Sequence, residues 1–139
     1  MEKPEILLSC SYSDIETAKV AANSLQNEGI LASVTTCAIN LQKVIGVVLT
    51  EKTEEERLIK ENPWIQKEFA HSDETRLRVL PFIIYNSKKE SLDALWEKNV
   101  GTIYEHLFSD EFKPLAYDLA KPNESAKELL RVLQLYYVK

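Results

Sequence analysis

Short apolar runs alternate along the chain with stretches whose apolar residues recur at helical spacing. Ile6-Leu7-Leu8-Ser9-Cys10 reads as a strand that stops at Ser11-Tyr12-Ser13-Asp14, where Ser13 or Asp14 can cap the helix that follows. That helix carries Ile15, Ala18, Ala22 and Leu25 on one face and should end at Gly29. Ile30 to Cys37, rich in β-branched residues, reads as a second strand. Val44 to Leu49 is almost wholly apolar, as expected of a parallel strand buried on both faces. The charged stretch from Thr50 to Arg57 reads as a solvated helix face or a loop. After it, Asn62-Pro63 is a helix-start signal: Asn62 can accept from the first free N–H groups, and Pro63 sits where a missing donor costs nothing. On the predicted helix, Trp64 and Glu68 share a face while Ile65 and Phe69 form the adjacent apolar stripe.

Leu77 to Tyr85 is a fourth strand, and Pro81 within it removes a ladder donor, which points to an edge or strand-start position. Leu92, Leu95 and Trp96 mark a helix that breaks near Asn99 to Gly101, and Ile103 and Leu107 mark a second short one. Pro114 to Leu119 is a fifth strand, and Ala126, Leu129, Leu130 and Leu133 line one face of a final helix. Five strands, each followed by a helical segment and with no hairpin signal between them, predict an α/β fold with a parallel sheet covered on both faces. Right-handed crossovers favour the order 2-1-3-4-5, a flavodoxin-like three-layer sandwich formed by residues 1–139 as a single domain. In that order ligands bind outside the carboxyl ends of strands one and three. The residues expected there are Ser9, Cys10, Ser11 and Tyr12 after strand one, and Leu49 and Thr50 after strand three. Because the Asn62 helix follows strand three, Glu68 can approach the same crevice.

With 139 residues the chain is long enough for one domain with a real core, and 45% hydrophobic with 28% charged residues is the balance of a globular protein. The net charge of −5, without a basic patch, argues against a nucleic-acid partner. No apolar run approaches the length of a membrane span, the N-terminus does not read as a signal peptide, and a cytoplasmic location is expected. Cys10 and Cys37 lie in apolar runs without metal-ligand spacing, so both are expected to be buried free thiols, and no metal site is predicted. With only Gly29, Gly46 and Gly101 there is no glycine-rich phosphate loop. The end of the first strand carries hydroxyls in place of the acidic pair that a magnesium-dependent phospho-acceptor needs. His71 and His106 have no nucleophile or acid partner in sequence. Ser9, Ser11 and Ser13 have either turn and cap duties or a part in holding a ligand.

The run Ile6-Leu7-Leu8-Ser9-Cys10-Ser11-Tyr12-Ser13-Asp14 resembles the opening of TIR (Toll/interleukin-1 receptor) domains: apolar strand, Ser, aromatic, Ser and then Asp. Asn27-Glu28-Gly29-Ile30 follows at the family's spacing. Trp64 with Glu68 is similar to the family's Trp-x-x-x-Glu signature, whose glutamate is catalytic in the enzymatic branch. Val79 to Ile84 resembles its strand with an embedded proline, and Tyr117-Asp118-Leu119 with the final amphipathic helix resembles its ending. The chain departs from the pattern between Ser33 and Asn40, which lack the usual aromatic, acid and glycine or proline. It departs again in the short interval from Cys37 to Val44 and in the long charged segment from Thr50 to Trp64. A divergent, prokaryotic-type member is what this combination resembles.

The resemblance implies cleavage of NAD⁺, as substrate and not as cofactor, at the bond between nicotinamide and ribose. The products would be nicotinamide with ADP-ribose or a cyclic isomer, in defence or immune signalling, by an enzyme that works as a homo-oligomer through TIR–TIR contacts. Glu68 would then stabilise the positive charge that grows on the ribose. Trp64 would wall the pocket, or else pack in the core, and Ser9, Ser11 and Tyr12 would line the substrate. Outside that role Glu68 is an exposed helix glutamate in a weak ion pair. Two other functions fit the same residues. One is a non-catalytic TIR module that signals by self-association. The other is a nucleoside deoxyribosyltransferase-like enzyme, which shares the sheet plan and uses a glutamate on the glycosyl carbon.

Overall fold

A computed structural model describes residues 4–35, 44–62, 79–99 and 115–136. In chain order these form β1 (Glu5–Ser9), a 3-10 turn (Tyr12–Asp14), α1 (Ile15–Asn27), β2 (Leu31–Thr35), β3 (Ile45–Leu49) and α2 (Glu55–Glu61). Then come β4 (Val79–Tyr85), α3 (Leu92–Asn99), β5 (Leu115–Asp118) and α4 (Pro122–Tyr136). The five strands make one parallel sheet in the order β2-β1-β3-β4-β5, flanked by helices, as a flavodoxin-like three-layer sandwich requires.

Register explains which residues share a face. Leu8 lies opposite Gly46, and Gly46 opposite Leu80, so the even-numbered residues of β1, β3 and β4 point to one side. There Ile6, Leu8, Val48, Phe82, Ile84 and Tyr117 form a continuous core with Ala18, Ala21, Ala22 and Leu25 of α1 and Ala126, Leu129 and Leu133 of α4. The alanines keep the α1 surface flat where it meets the sheet. β3 is buried along its whole length, which is why its sequence is apolar without alternation. Gly46 is required there, because a Cβ would come within 2.9 Å of Phe82 Cβ and 3.1 Å of Leu8 Cδ2.

Gly29 ends α1 as the sequence predicts. It has φ 88, and two bonds close the helix: Ile30 N–H donates to the Leu25 carbonyl and Gly29 N–H to the Gln26 carbonyl. Leu25 and Ile30, both buried, supply the apolar contact that accompanies this cap.

Two local expectations are corrected, and a third residue has a duty that the sequence did not announce. Pro81 is not at an edge: it stands opposite Val47 inside the sheet. It lies one residue ahead of the first β4–β5 pair, Phe82 with Leu115, so on that side no described ladder bond is lost. Asp14 occupies the N-cap position of α1, yet its side chain makes no capping bond. Asn62 closes a helix: α2 grows out of the charged stretch, with Leu58 buried, and Asn62 N–H donates to the Leu58 carbonyl. The proline that follows explains the stop, since a residue before proline is driven out of the helical region, and Asn62 has φ −127 and ψ 66. The predicted helix carrying Trp64 and Glu68, and the short one at Ile103 and Leu107, fall outside the described residues.

Candidate functional site

The carboxyl ends of β1 and β3 lie side by side in the sheet, where the chain's connections diverge to either side. Two buried polar clusters are built on these ends. In the first, the Asn62 carboxamide is wholly buried and reaches back across the chain. Its Oδ1 accepts the Ser9 hydroxyl at 2.8 Å, and its Nδ2 donates to the Cys10 carbonyl at 2.9 Å and to the Leu58 carbonyl at 3.2 Å. Each atom of the amide therefore meets a group of the opposite character, and the exit from α2 is fastened to the end of β1.

The second cluster surrounds Asp14, whose carboxylate is 1% exposed. Oδ1 accepts the Thr50 hydroxyl at 2.7 Å, and Oδ2 accepts Thr53 at 2.6 Å and Ser11 at 3.2 Å. Thr50 follows β3 directly, and the Thr53 N–H donates to the Thr50 carbonyl to close the turn before α2. The two strand ends are thus joined by a carboxylate surrounded by hydroxyls. Between the clusters, burial, with the charges of Asp14 and Glu61 adding to it, pushes the Cys10 thiol up to about 12. Cys10 is free, buried and unreactive in kind, as expected, while Cys37 lies outside the described residues.

At the surface of this notch the Glu61 carboxylate accepts the Tyr12 backbone N–H at 3.2 Å. The Tyr12 side chain is 63% exposed. On the far side of Thr50, beyond the ends of β3 and β4, lies a cleft of about 200 Å³ lined by Thr17, Lys52, Tyr85, Asn86, Lys89 and Leu119 among others. Burial, and secondarily the charge of Asp118, pushes the Tyr85 phenol above its ordinary value.

Of the residues predicted to bind substrate, Ser9, Ser11 and Tyr12 all stand at the end of β1, but in different states. Ser9 and Ser11 are fully buried and bonded to Asn62 and Asp14, whereas Tyr12 faces outward. Thr50 is at the end of β3, where the sheet order placed it. Trp64 and Glu68 lie outside the described residues. In the sequence Asp14 and Asn62 read as helix caps, and Thr53 as part of a charged helix face or loop. The signal that marks two of them is a shared spacing: Ser11-x-x-Asp14 and Thr50-x-x-Thr53 each begin just past a strand. Among the described residues no group of three or more His, Cys, Asp or Glu could hold a metal ion. No helix among them is long and apolar enough to cross a membrane.

Neither a protein-family model nor a curated protein matches the chain. Among solved structures, rubredoxin oxygen:oxidoreductase from the anaerobe Desulfovibrio gigas is similar at 14% sequence identity with a TM-score of 0.43. The match covers 99% of this chain and 38% of that one, so the chain spans well under half of its length.

Proposed function

We propose that this chain is a TIR-type NAD⁺ glycohydrolase with Glu68 as its catalytic carboxylate. The observation that carries this reading is the fastening of Asn62 to Ser9 and Cys10. The Trp64-x-x-x-Glu68 segment begins two residues after a side chain held at the crevice where this sheet order binds ligands. Glu68 lies six positions after Asn62, a span of at most about 21 Å if extended and about 9 Å if helical. A tether of the helical length is short enough for Glu68 to serve the crevice at the β1 end.

The chemistry asks little else of the protein. Nicotinamide leaves with the electron pair of its bond to the ribose and is neutral once free, so no general acid is needed. Positive charge grows on the ribose as that bond breaks, and a carboxylate against the ring stabilises it until water, or an adenine nitrogen of the same molecule, takes the vacated carbon. Ser9 and Ser11 spend their hydroxyls on Asn62 and Asp14, so their part is to shape the pocket floor. Tyr12, which is exposed, is assigned to the nucleotide and Trp64 to the pocket wall. The active form is taken to be a homo-oligomer, with NAD⁺ as substrate and no resident cofactor.

Base release from NAD⁺ and from a deoxynucleoside, followed for the wild-type chain and Glu68→Gln across concentrations that span self-association in gel filtration, tests this reading. Nicotinamide release that Glu68→Gln abolishes is the expected result. Release from the deoxynucleoside alone would assign a deoxyribosyltransferase. No release at any concentration at which the chain assembles would assign a non-catalytic interaction module, the reading favoured by the altered region from Thr35 to Asn40.

A further inference from the structure

We propose that Asp14 is a positioning residue: its buried carboxylate, through Thr50 and Thr53, locks the turn before α2 to the β1–α1 corner and so sets where α2 delivers the chain at Asn62. The proposal rests on the reading of Glu68 as the reacting carboxylate. Nothing in that chemistry uses Asp14 directly. Among the described residues it makes no salt bridge, although burying a carboxylate without a cation is costly.

What the carboxylate supplies is direction. An ionised carboxylate only accepts, so the protons of Ser11, Thr50 and Thr53 all point to it. Each of these hydroxyls is then left with lone pairs, and each uses one. Thr53 Oγ1 accepts the Thr50 N–H at 2.8 Å, Thr50 Oγ1 accepts the Lys52 N–H at 3.1 Å, and Ser11 Oγ lies 3.0 Å from Ser13 Oγ. The network therefore has one proton order, and that order fixes both the backbone turn at 50–53 and the side chains around it. A carboxamide at position 14 would turn an NH₂ group toward hydroxyl protons and break the order.

The geometry closes into a ring. From the β1 end the linkage runs through Asp14 to Thr50 and Thr53, along α2, and back through Asn62 to Ser9 and Cys10. A seven-residue helix has little stability of its own, and here it is fastened at its entry and at its exit to the same strand end. Releasing the entry leaves the ties at the exit, Asn62 and the exposed bond from Tyr12 N–H to Glu61. Asn62, from which the chain runs on to Glu68, would then shift, and displacement of a reacting group by about 1 Å can cost about 100-fold in rate.

The test uses Thr53→Val, which keeps the shape and deletes the hydroxyl, and Thr53→Ser, which keeps the hydroxyl, in the full chain. NAD⁺ turnover and amide exchange at Leu58 and Asn62 are measured at a temperature at which both variants are folded by circular dichroism. For Thr53→Val a fall in kcat of about 10- to 100-fold is expected, with KM within about twofold of wild type. Exchange at both amides should be faster, and Thr53→Ser should restore all three quantities. Wild-type kcat in Thr53→Val, or a serine variant as impaired as the valine one, would overturn the proposal. If the wild-type chain releases no nicotinamide, the Glu68 reading fails by itself. The lock is then judged by exchange alone, and unchanged protection at Leu58 and Asn62 in Thr53→Val would refute it.

Discussion

Replacing Asn62 separates a specific clasp from mere filling of space. In Asn62→Ala the Ser9 hydroxyl and the Cys10 carbonyl lose their partner in a fully buried setting, whereas the Leu58 carbonyl keeps the Asn62 backbone N–H. Stranding two buried polar groups at about 1–2 kcal/mol each predicts a loss of about 3 kcal/mol, a large share of the margin by which small domains are stable. Asn62→Asp is nearly isosteric but exchanges the donor for an acceptor 2.9 Å from one carbonyl and 3.2 Å from another. It should therefore be worse than alanine at pH 7.5. Facing acceptors, the new carboxyl is favoured in its protonated form, whose O–H can serve the Cys10 carbonyl, so its deficit should shrink as the pH is lowered towards 5. Urea unfolding followed by far-UV circular dichroism at both pH values measures all of this. In a cycle with Ser9→Ala, the double variant should lose about 1 kcal/mol less than the two single losses added together. An aspartate as well tolerated as alanine at pH 7.5, or a strictly additive cycle, would mean that the carboxamide fastens nothing.

Three further outcomes follow from other sites. Gly46→Ala should lower stability by about 1–3 kcal/mol, because the added methyl meets Phe82 Cβ at 2.9 Å; an unchanged urea midpoint would show that the strands part at no cost. In a Cys37→Ser background, Cys10 should resist an aromatic disulfide reagent at pH 8 until the chain is unfolded, its thiol being buried and held up to about 12. Prompt labelling of the folded protein would contradict that. Burial raises the Asp118 pKa, but bonds from Ser87 and Ala120 with the charge of Lys121 outweigh it and bring the group below its ordinary 3.8. Its stabilisation is therefore complete above that value and is lost as the pH falls through the lower folded value. Asp118→Asn should flatten this acid limb in urea titrations between pH 5 and pH 2, and an unaltered limb would exclude the assignment.

Elements whose signals are local were readable in the chain. Val44 to Leu49 announced a strand covered on both faces because every side chain there is apolar, and Gly29 announced a helix end because φ 88 suits a residue without a Cβ. Asn-Pro has two physical meanings. It can open a helix, with proline in the first turn, or close one, since a residue before proline avoids the helical region. Asn62 has the second for α2, and the helix start read at Pro63 falls outside the described residues. Asp14 was read as a cap because its nearest backbone N–H groups are close in sequence. Its actual partners, Thr50 and Thr53, lie 36 and 39 residues away, and only the juxtaposition of β1 with β3 brings them near. Ser9 is the same case, with its partner 53 residues on. Sheet order therefore located the crevice, but which polar groups spend their bonds on one another there is a long-range property that no window of sequence carries.

The all-parallel pairing also bears on how the chain comes together. Glu5 meets Leu31, Leu7 meets Ile45, Ile45 meets Val79 and Phe82 meets Leu115, so every ladder joins residues far apart in sequence, and β1 with β3 has a whole strand between the partners as well. Loop-closure entropy must be met before any of those ladders repays it, which slows folding relative to a helical bundle held by local contacts. β1 with α1 and β2 is the most compact unit able to begin, and β3 must arrive beside β1 before the Asp14 and Asn62 clusters can exist at all. The crevice clusters can therefore close once residue 62 is in place, before β4, β5 and α4 have been made, and a nascent chain halted ahead of that point would display an unclosed crevice.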